Sequence, residues 1–166
     1  VRLYTEEGRE YLDFVGGIAV SALGHSHPAM VAALQEQAGK LWHTSNMFRV
    51  PAAEQLADKM CERLPFADRV FFTNSGTEAV ECAIKTARKY HWAKGDTERV
   101  DIVTVSGAFH GRSLGAINAG GNPKYLEGFG PKLPGFIQVP YGDHEALKAA
   151  VGPTTAAVFF EPVQGE

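Results

Sequence analysis

Apolar and polar positions follow two different periods along the chain. In residues 2–15, RLYTEEGREYLDFV, two short stretches rich in Tyr, Leu, Phe and Val flank Glu7-Gly8, which predicts a hairpin. Pro28 then suits a first helical turn and leads into a helix over Ala29–Leu41. Leu56, Met60 and Leu64 recur at helical spacing and predict a second helix from Pro51 to Arg63, stopped by Pro65. From there strand and helix patterns alternate: RVFFT at 69–73, a helix from Glu78 to Trp92, VDIVTV at 100–105, a glycine-rich loop, FIQVP at 136–140, a short helix over Asp143–Ala150, and AAVFFEPV at 156–163. Short apolar strands interleaved with helices predict an α/β fold with a mostly parallel sheet.

Composition narrows the classes. The chain has 166 residues, 45% of them hydrophobic and 21% charged, which excludes a disordered or collagen-like protein. Such a length buries roughly two-thirds of its unfolded surface, enough for one main core and an appendage. Sixteen basic against nineteen acidic residues leave a net charge of -3 with no basic block, so a nucleic-acid partner is not expected. Cys61 and Cys82 show no CxxC spacing and read as free buried thiols of a reducing compartment, the cytoplasm. No apolar run approaches the roughly 18 to 20 residues of a membrane span, and VRLYTEEGRE has no export-signal pattern. Val1 in place of Met and the blunt EPVQGE ending make both ends read as cut.

The strongest local pattern is residues 69–79, RVFFTNSGTEA, a strand running through a small polar turn into a helix. The backbone amides of Ser75, Gly76 and Thr77 then point out of the positive end of that helix, with two hydroxyls beside them, and a phosphate suits such a cradle. The competing reading is that Ser75 or Thr77 only caps the helix. A Walker lysine and GxGxxG are both absent, and Pro131 and Pro134 spoil the glycine-rich 128–135 as a dinucleotide loop.

The second pattern is 106–113, SGAFHGRS, at the carboxyl end of a strand, where open α/β sheets hold ligands. Phe109 there can cover a planar heterocycle and Arg112 can grip a carboxylate, or they are a core aromatic and a solvated cation. His110 adjoins both and reads equally as an ordering residue of the loop. His25 and His27, spaced i, i+2 before a helix, are poor metal ligands, and no metal is expected.

Together these segments resemble the class III aminotransferases, pyridoxal-phosphate enzymes of fold type I, and most closely the acetylornithine aminotransferases. The resemblance runs along the entire chain through YLDFVGGIAVSALGHSHP, LWHTSNMF, FTNSGTEAVECAIKTAR, AFHGRSLGAINAGGNPKYLEGFGPKLPGF and EPVQGE, with NSGTEA, AFHGRSL, GNPKY and GFGPK the most specific. It implies that 1–45 is the N-terminal segment of a small domain and 46–166 the first part of the cofactor-binding large domain. It further implies that Ser75, Gly76 and Thr77 bind the phosphate of pyridoxal 5'-phosphate, that Phe109 stacks on its ring, and that Arg112 holds the α-carboxylates of N-acetylornithine and 2-oxoglutarate. Glu166 resembles the glutamate that pairs with a distant arginine and lets one pocket accept both an amine and a dicarboxylate. A homodimer is implied, because the family completes its site across two subunits.

Ile18 and His110 stand where ornithine aminotransferases carry tyrosine and tryptophan, which favours the acetylated substrate. The 4-aminobutyrate enzymes share the arginine after HG and the EPVQGE ending, while GNPKY and GFGPK favour the acetylornithine branch. Succinylornithine and succinyl-diaminopimelate remain as alternative donors. The family also needs a lysine that bonds the cofactor, an aspartate at the ring nitrogen and a threonine from the neighbouring subunit. None of the eight lysines stands in the required motif, so no catalytic residue is assigned within this chain and the 166 residues alone are expected to be inactive. The competing class is a non-catalytic half-domain that binds a phosphate ligand or a partner.

Overall fold

A computed structural model describes residues 1–165; Glu166 lies outside the described residues. The backbone divides into two compact units, Val1–Val70 and the segment from Phe71 onward.

The first unit opens with the expected hairpin. Strands β1 (Arg2–Tyr4) and β2 (Glu10–Leu12) pair antiparallel, with Arg2 opposite Leu12 and Tyr4 opposite Glu10. Glu10 accepts from both Arg2 and the Tyr4 hydroxyl across the ladder. A single distorted turn, α1 (Gly16–Ala19), follows, with non-glycine Ile18 in left-handed backbone at φ 59°. Asp13 holds it by accepting from the amides of Val15 and Gly16 at 3.1 and 2.9 Å while meeting His25 Nε2 at 2.7 Å.

Helix α2 (Pro28–Ala38) starts at its proline, where the missing N–H costs nothing, and His27 Nδ1 accepts the Ala29 amide as a cap. It ends at Gly39 rather than Leu41: the Trp42 indole donates to the Ala38 carbonyl at 2.6 Å, taking an acceptor that a further helical turn would have used. Helix α3 (Pro51–Arg63) keeps the predicted span.

The second unit contains helix α4 (Gly76–Ala93), β3 (Asp101–Val105), α5 (Leu114–Gly120), α6 (Pro123–Leu126), β4 (Phe136–Val139), α7 (His144–Ala150) and β5 (Thr155–Phe159). The strands form a parallel sheet in the order β4-β3-β5, with Val103 opposite Ile137 and Val158. Successive side chains of a strand face opposite ways. On one side Gln138 reaches Thr104 and the Asn118 carbonyl of α5; on the other, Val105, Val139 and Val158 face a cavity shared with Leu147 of α7. The sheet is thus covered on both faces, as parallel strands require.

Ile102, Val103 and Thr104 at the centre of β3 are fully buried, with Ala116, Ile117 and Ala119 of α5 beside them. Each large apolar side chain so buried contributes roughly 1.5–3 kcal/mol. Helix α4 is tied to the sheet by polar contacts: Arg88 Nε donates to the Val100 carbonyl at 2.9 Å and His91 Nε2 meets the Ala156 carbonyl at 3.0 Å.

Three expectations are corrected. Residues 69–73 form no strand: no other strand pairs with them among the described residues, and Phe71 and Phe72 stand 74% and 44% exposed. The stretch after β3 read as a glycine-rich loop contains the helix α5, five of whose seven residues are buried. Cys61 and Cys82 are free, but half-buried rather than buried.

Candidate functional site

Ser75 is the N-cap of α4. Its Oγ accepts from the Glu78 amide at 3.2 Å, and Glu78 Oε2 reaches back past the cap to accept from the Asn74 amide at 2.8 Å, which leaves the Ser75 amide itself unbonded among the described residues. The capping reading of this turn therefore holds for Ser75. It leaves the amides of Ser75, Gly76 and Thr77 without an acceptor among the described residues, and all three lie at the positive end of an 18-residue helix. A methyl group built on Gly76 would meet nothing within 4 Å, so the space beside it is open.

Gly111 brings the second loop onto this turn. A Cβ at Gly111 would lie 3.0 Å from Thr77 Oγ1 and 3.3 Å from Ala116 Cβ, and the residue has φ +115°. Only a glycine lets the loop after β3 press against the start of α4 in this backbone shape. Phe109 and Arg112 flank Gly111 in the loop after β3, so this contact brings the loop that carries them against the turn that carries Ser75, Gly76 and Thr77.

The loop is also braced from the segment that follows β5. The Phe109 amide donates to Glu161 Oε2 at 3.1 Å, and Gln164 Nε2 donates to the Ser106 carbonyl at 2.9 Å. His110 is buried and stacks on Phe159 of β5, with ring centroids 4.3 Å apart and planes 26° from parallel. Burial holds the His110 pKa below the usual imidazole value, and the Glu161 carboxylate opposes that shift only in part. The Phe109 ring, by contrast, is 38% exposed.

Arg112 makes no ion pair among the described residues. Its guanidinium lies over the Tyr125 ring at 4.0 Å and the Phe109 ring at 5.6 Å, while Tyr125 meets Phe109 edge-on at 6.5 Å. A cleft of about 450 Å³ beside it is lined by Arg112, Ser113, Leu114, Ile117, Lys124, Tyr125 and Phe129. Glu166 lies outside the described residues, and the role that the resemblance gives it is not placed.

The family profile for aminotransferase class-III matches residues 1–166. The chain belongs to the class-III aminotransferases. It is 62% identical to acetylornithine aminotransferase 2 of Caulobacter vibrioides over 99% of this chain and 41% of that protein. Among solved structures, the N-acetylornithine aminotransferase of Stenotrophomonas maltophilia is 40% identical with a TM-score of 0.80, and matches 99% of this chain and 40% of its own. The ornithine aminotransferase of Toxoplasma gondii, whose active site was found partly occupied by pyridoxal phosphate, is 34% identical with a TM-score of 0.91 over 99% and 39% of the two chains. This class-III aminotransferase chain thus spans about two-fifths of the length of the relatives it matches, and its fold is that of the fold type I enzymes.

Within this aminotransferase chain, sequence reasoning passed over Gly111, Tyr125, Glu161 and Gln164. The glycine's contact with Thr77 joins positions 34 apart, and the others act from segments whose approach depends on the sheet order. The quoted GNPKY and EPVQGE contained three of these residues without indicating which side chains would face the rim.

Proposed function

We propose that this chain supplies the cofactor cradle and carboxylate clamp of an acetylornithine aminotransferase. The reaction moves the amino group of N-acetylornithine to 2-oxoglutarate, giving N-acetylglutamate semialdehyde and glutamate. The donor set suits pyridoxal 5'-phosphate: three amides at a helix N-terminus that meet no acceptor among the described residues, with the Thr77 hydroxyl beside them, suit a phosphate dianion, and the part-exposed Phe109 suits a planar ring. The observation that carries the reading is the Gly111–Thr77 contact, because it sets the phosphate cradle and the aromatic loop side by side.

In this reading the Ser75 side chain keeps the turn in shape through its cap, while the amides of Ser75, Gly76 and Thr77 and the Thr77 hydroxyl donate to the phosphate. Phe109 covers one ring face, held at its amide by Glu161. When bound, the cofactor supplies the electron sink for breaking and making the carbon–nitrogen bonds. Arg112 receives the α-carboxylate of each substrate in turn, so that both are oriented by the same fork. For Glu166, which lies outside the described residues, the reading rests on the resemblance alone, as the glutamate that pairs with a distant arginine. The proton-transferring lysine, the ring-nitrogen aspartate and a phosphate-binding threonine come from outside these 166 residues, the last from the second subunit of a homodimer. No helix among the described residues is long and apolar enough to cross a membrane, and a cytoplasmic location suits the two free cysteines.

The test is glutamate formation from 2-oxoglutarate by the protein in which this chain occurs, with N-acetylornithine, N-succinylornithine, succinyl-diaminopimelate, ornithine and 4-aminobutyrate as competing donors. N-acetylornithine should give the highest kcat/KM. A higher value for any other donor transfers the reading to that member of the class, and no transfer from any of them leaves the non-catalytic half-domain.

A further inference from the structure

We propose that Tyr125 is a positioning residue for Arg112, holding the guanidinium by its ring face so that the N–H donors stay available to a substrate carboxylate. The inference rests on the reading of Arg112 as the carboxylate clamp and adds the residue that aims it.

An exposed arginine ordinarily samples many rotamers, and fixing it costs entropy that a carboxylate would otherwise have to overcome on binding. A carboxylate neighbour would fix it too, but would occupy the fork and cancel its charge. All four ion pairs among the described residues lie between residues 2 and 54, and none involves Arg112. Arg112 donates no hydrogen bond among the described residues. What it touches is aromatic: Tyr125 at 4.0 Å and Phe109 at 5.6 Å, with Tyr125 perpendicular to Phe109 at 88°. A cation over a ring face keeps the edge of its plane, and so its donors, free for another partner.

The placement of Tyr125 is itself built. It sits in the short helix α6, whose N-cap Asn122 accepts from the Lys124 amide at 3.0 Å and whose Pro123 sets the first turn. The Tyr125 amide donates to the Asn122 carbonyl at 3.0 Å, so the ring is presented by a locked turn. Lys124, Leu114, Ile117 and Phe129 line the cleft beside it, and no acidic side chain among the described residues does. The sequence GNPKY thus gains a physical purpose: Asn122 and Pro123 form the turn and Tyr125 aims the arginine.

The experiment uses the full protein with its cofactor and compares Tyr125→Phe, Tyr125→Leu and Arg112→Leu. Binding of glutarate, an unreactive dicarboxylate, is followed by calorimetry, and KM and kcat are measured for both substrates. Tyr125→Phe keeps the ring face and should leave glutarate affinity within about twofold. Tyr125→Leu should weaken it about tenfold, the upper part of the range for such a contact, and raise KM for both substrates more than it lowers kcat. Cofactor absorbance should remain unchanged in all three. If Arg112→Leu weakens glutarate but Tyr125→Leu does not, the positioning role is overturned while the clamp stands. If Arg112→Leu has no effect either, the clamp reading itself fails. Equal losses in Tyr125→Phe and Tyr125→Leu overturn the ring-face role, and so does a Tyr125→Leu protein that loses cofactor or fails to fold while Tyr125→Phe weakens glutarate tenfold.

Discussion

Gly111 and Thr77 meet at a point where a single methyl group decides the geometry. A Cβ at Gly111 would stand 3.0 Å from Thr77 Oγ1 and must adopt φ +115°, which L side chains rarely do. Gly111→Ala therefore combines backbone strain of about 1–3 kcal/mol with displacement of the loop from the cradle. The expected outcome is a cofactor dissociation constant raised about tenfold or more, read by absorbance titration; an unchanged constant would separate the loop from the cradle. Thr77→Ala should also loosen the cofactor, while the Ser75 cap keeps α4 intact.

His110 carries a pH effect of definite sign. Its folded-state pKa is lowered from 6.5, chiefly by burial. The unfolded chain therefore takes up a proton at higher pH than the folded one, and the stability due to the neutral ring is complete above pH 6.5. It is lost as the pH falls from there towards the folded-state pKa. The urea midpoint should drop between pH 7.5 and 5.5, and His110→Gln, which cannot take the charge, should flatten that drop. An equally steep drop in the variant would assign the dependence to other groups.

At the scale of elements, α5 is held on α4 by one acid. Ser113, the N-cap of α5, donates to Glu81 Oε1 at 2.5 Å, and a Cβ at Gly115 would lie only 2.4 Å from the same oxygen. Gly115→Ala forces either the carboxylate or the helix to move. Because that carboxylate ends a flexible side chain, its displacement costs chiefly the Ser113 hydrogen bond, about 0.5–1.5 kcal/mol, which offsets the roughly 1 kcal/mol that Gly→Ala gains at an exposed helical position. Thermal unfolding checks this, and a variant stabilised by the full alanine gain would refute the contact.

The same pair shows what the sequence could and could not reveal. Helices α3, α4 and α7 were legible because apolar spacing, prolines and caps are local. Helix α5 was not: LGAINAG has no amphipathic stripe, since nearly all of it is buried and its glycine makes room for Glu81, 34 positions earlier. RVFFT failed in the opposite way, having a strand composition but no ladder partner among the described residues, and strand propensity counts only where a neighbour pairs. The candidate site followed the same division. Ser75, Gly76, Thr77, Phe109 and Arg112 were readable from two local motifs, whereas their convergence through Gly111, Glu161 and Tyr125 depends on the order β4-β3-β5.

At the scale of the whole molecule, the proposed reading requires a lysine that bonds the cofactor, and the question is whether one of this chain's eight can do so. The chain spans 41% of its Caulobacter relative, and its eight lysines include two on α4, at 85 and 89, and one at its C-cap, 94. Lys124 is the one that lines the cleft with Arg112, and it follows Pro123 in α6, on the side that the substrate carboxylate would occupy. A lysine there would meet the clamp rather than the ring covered by Phe109. Borohydride reduction of the cofactor-loaded protein, followed by peptide mapping, should therefore place the label on a lysine other than these eight. Lys124→Met should bind cofactor normally, as judged by absorbance. Stoichiometric label on Lys124 would show that the cradle, the ring stack and the reactive amine all lie within these 166 residues, and would reverse the assignment of this chain as the part that binds and orients while another segment moves the proton.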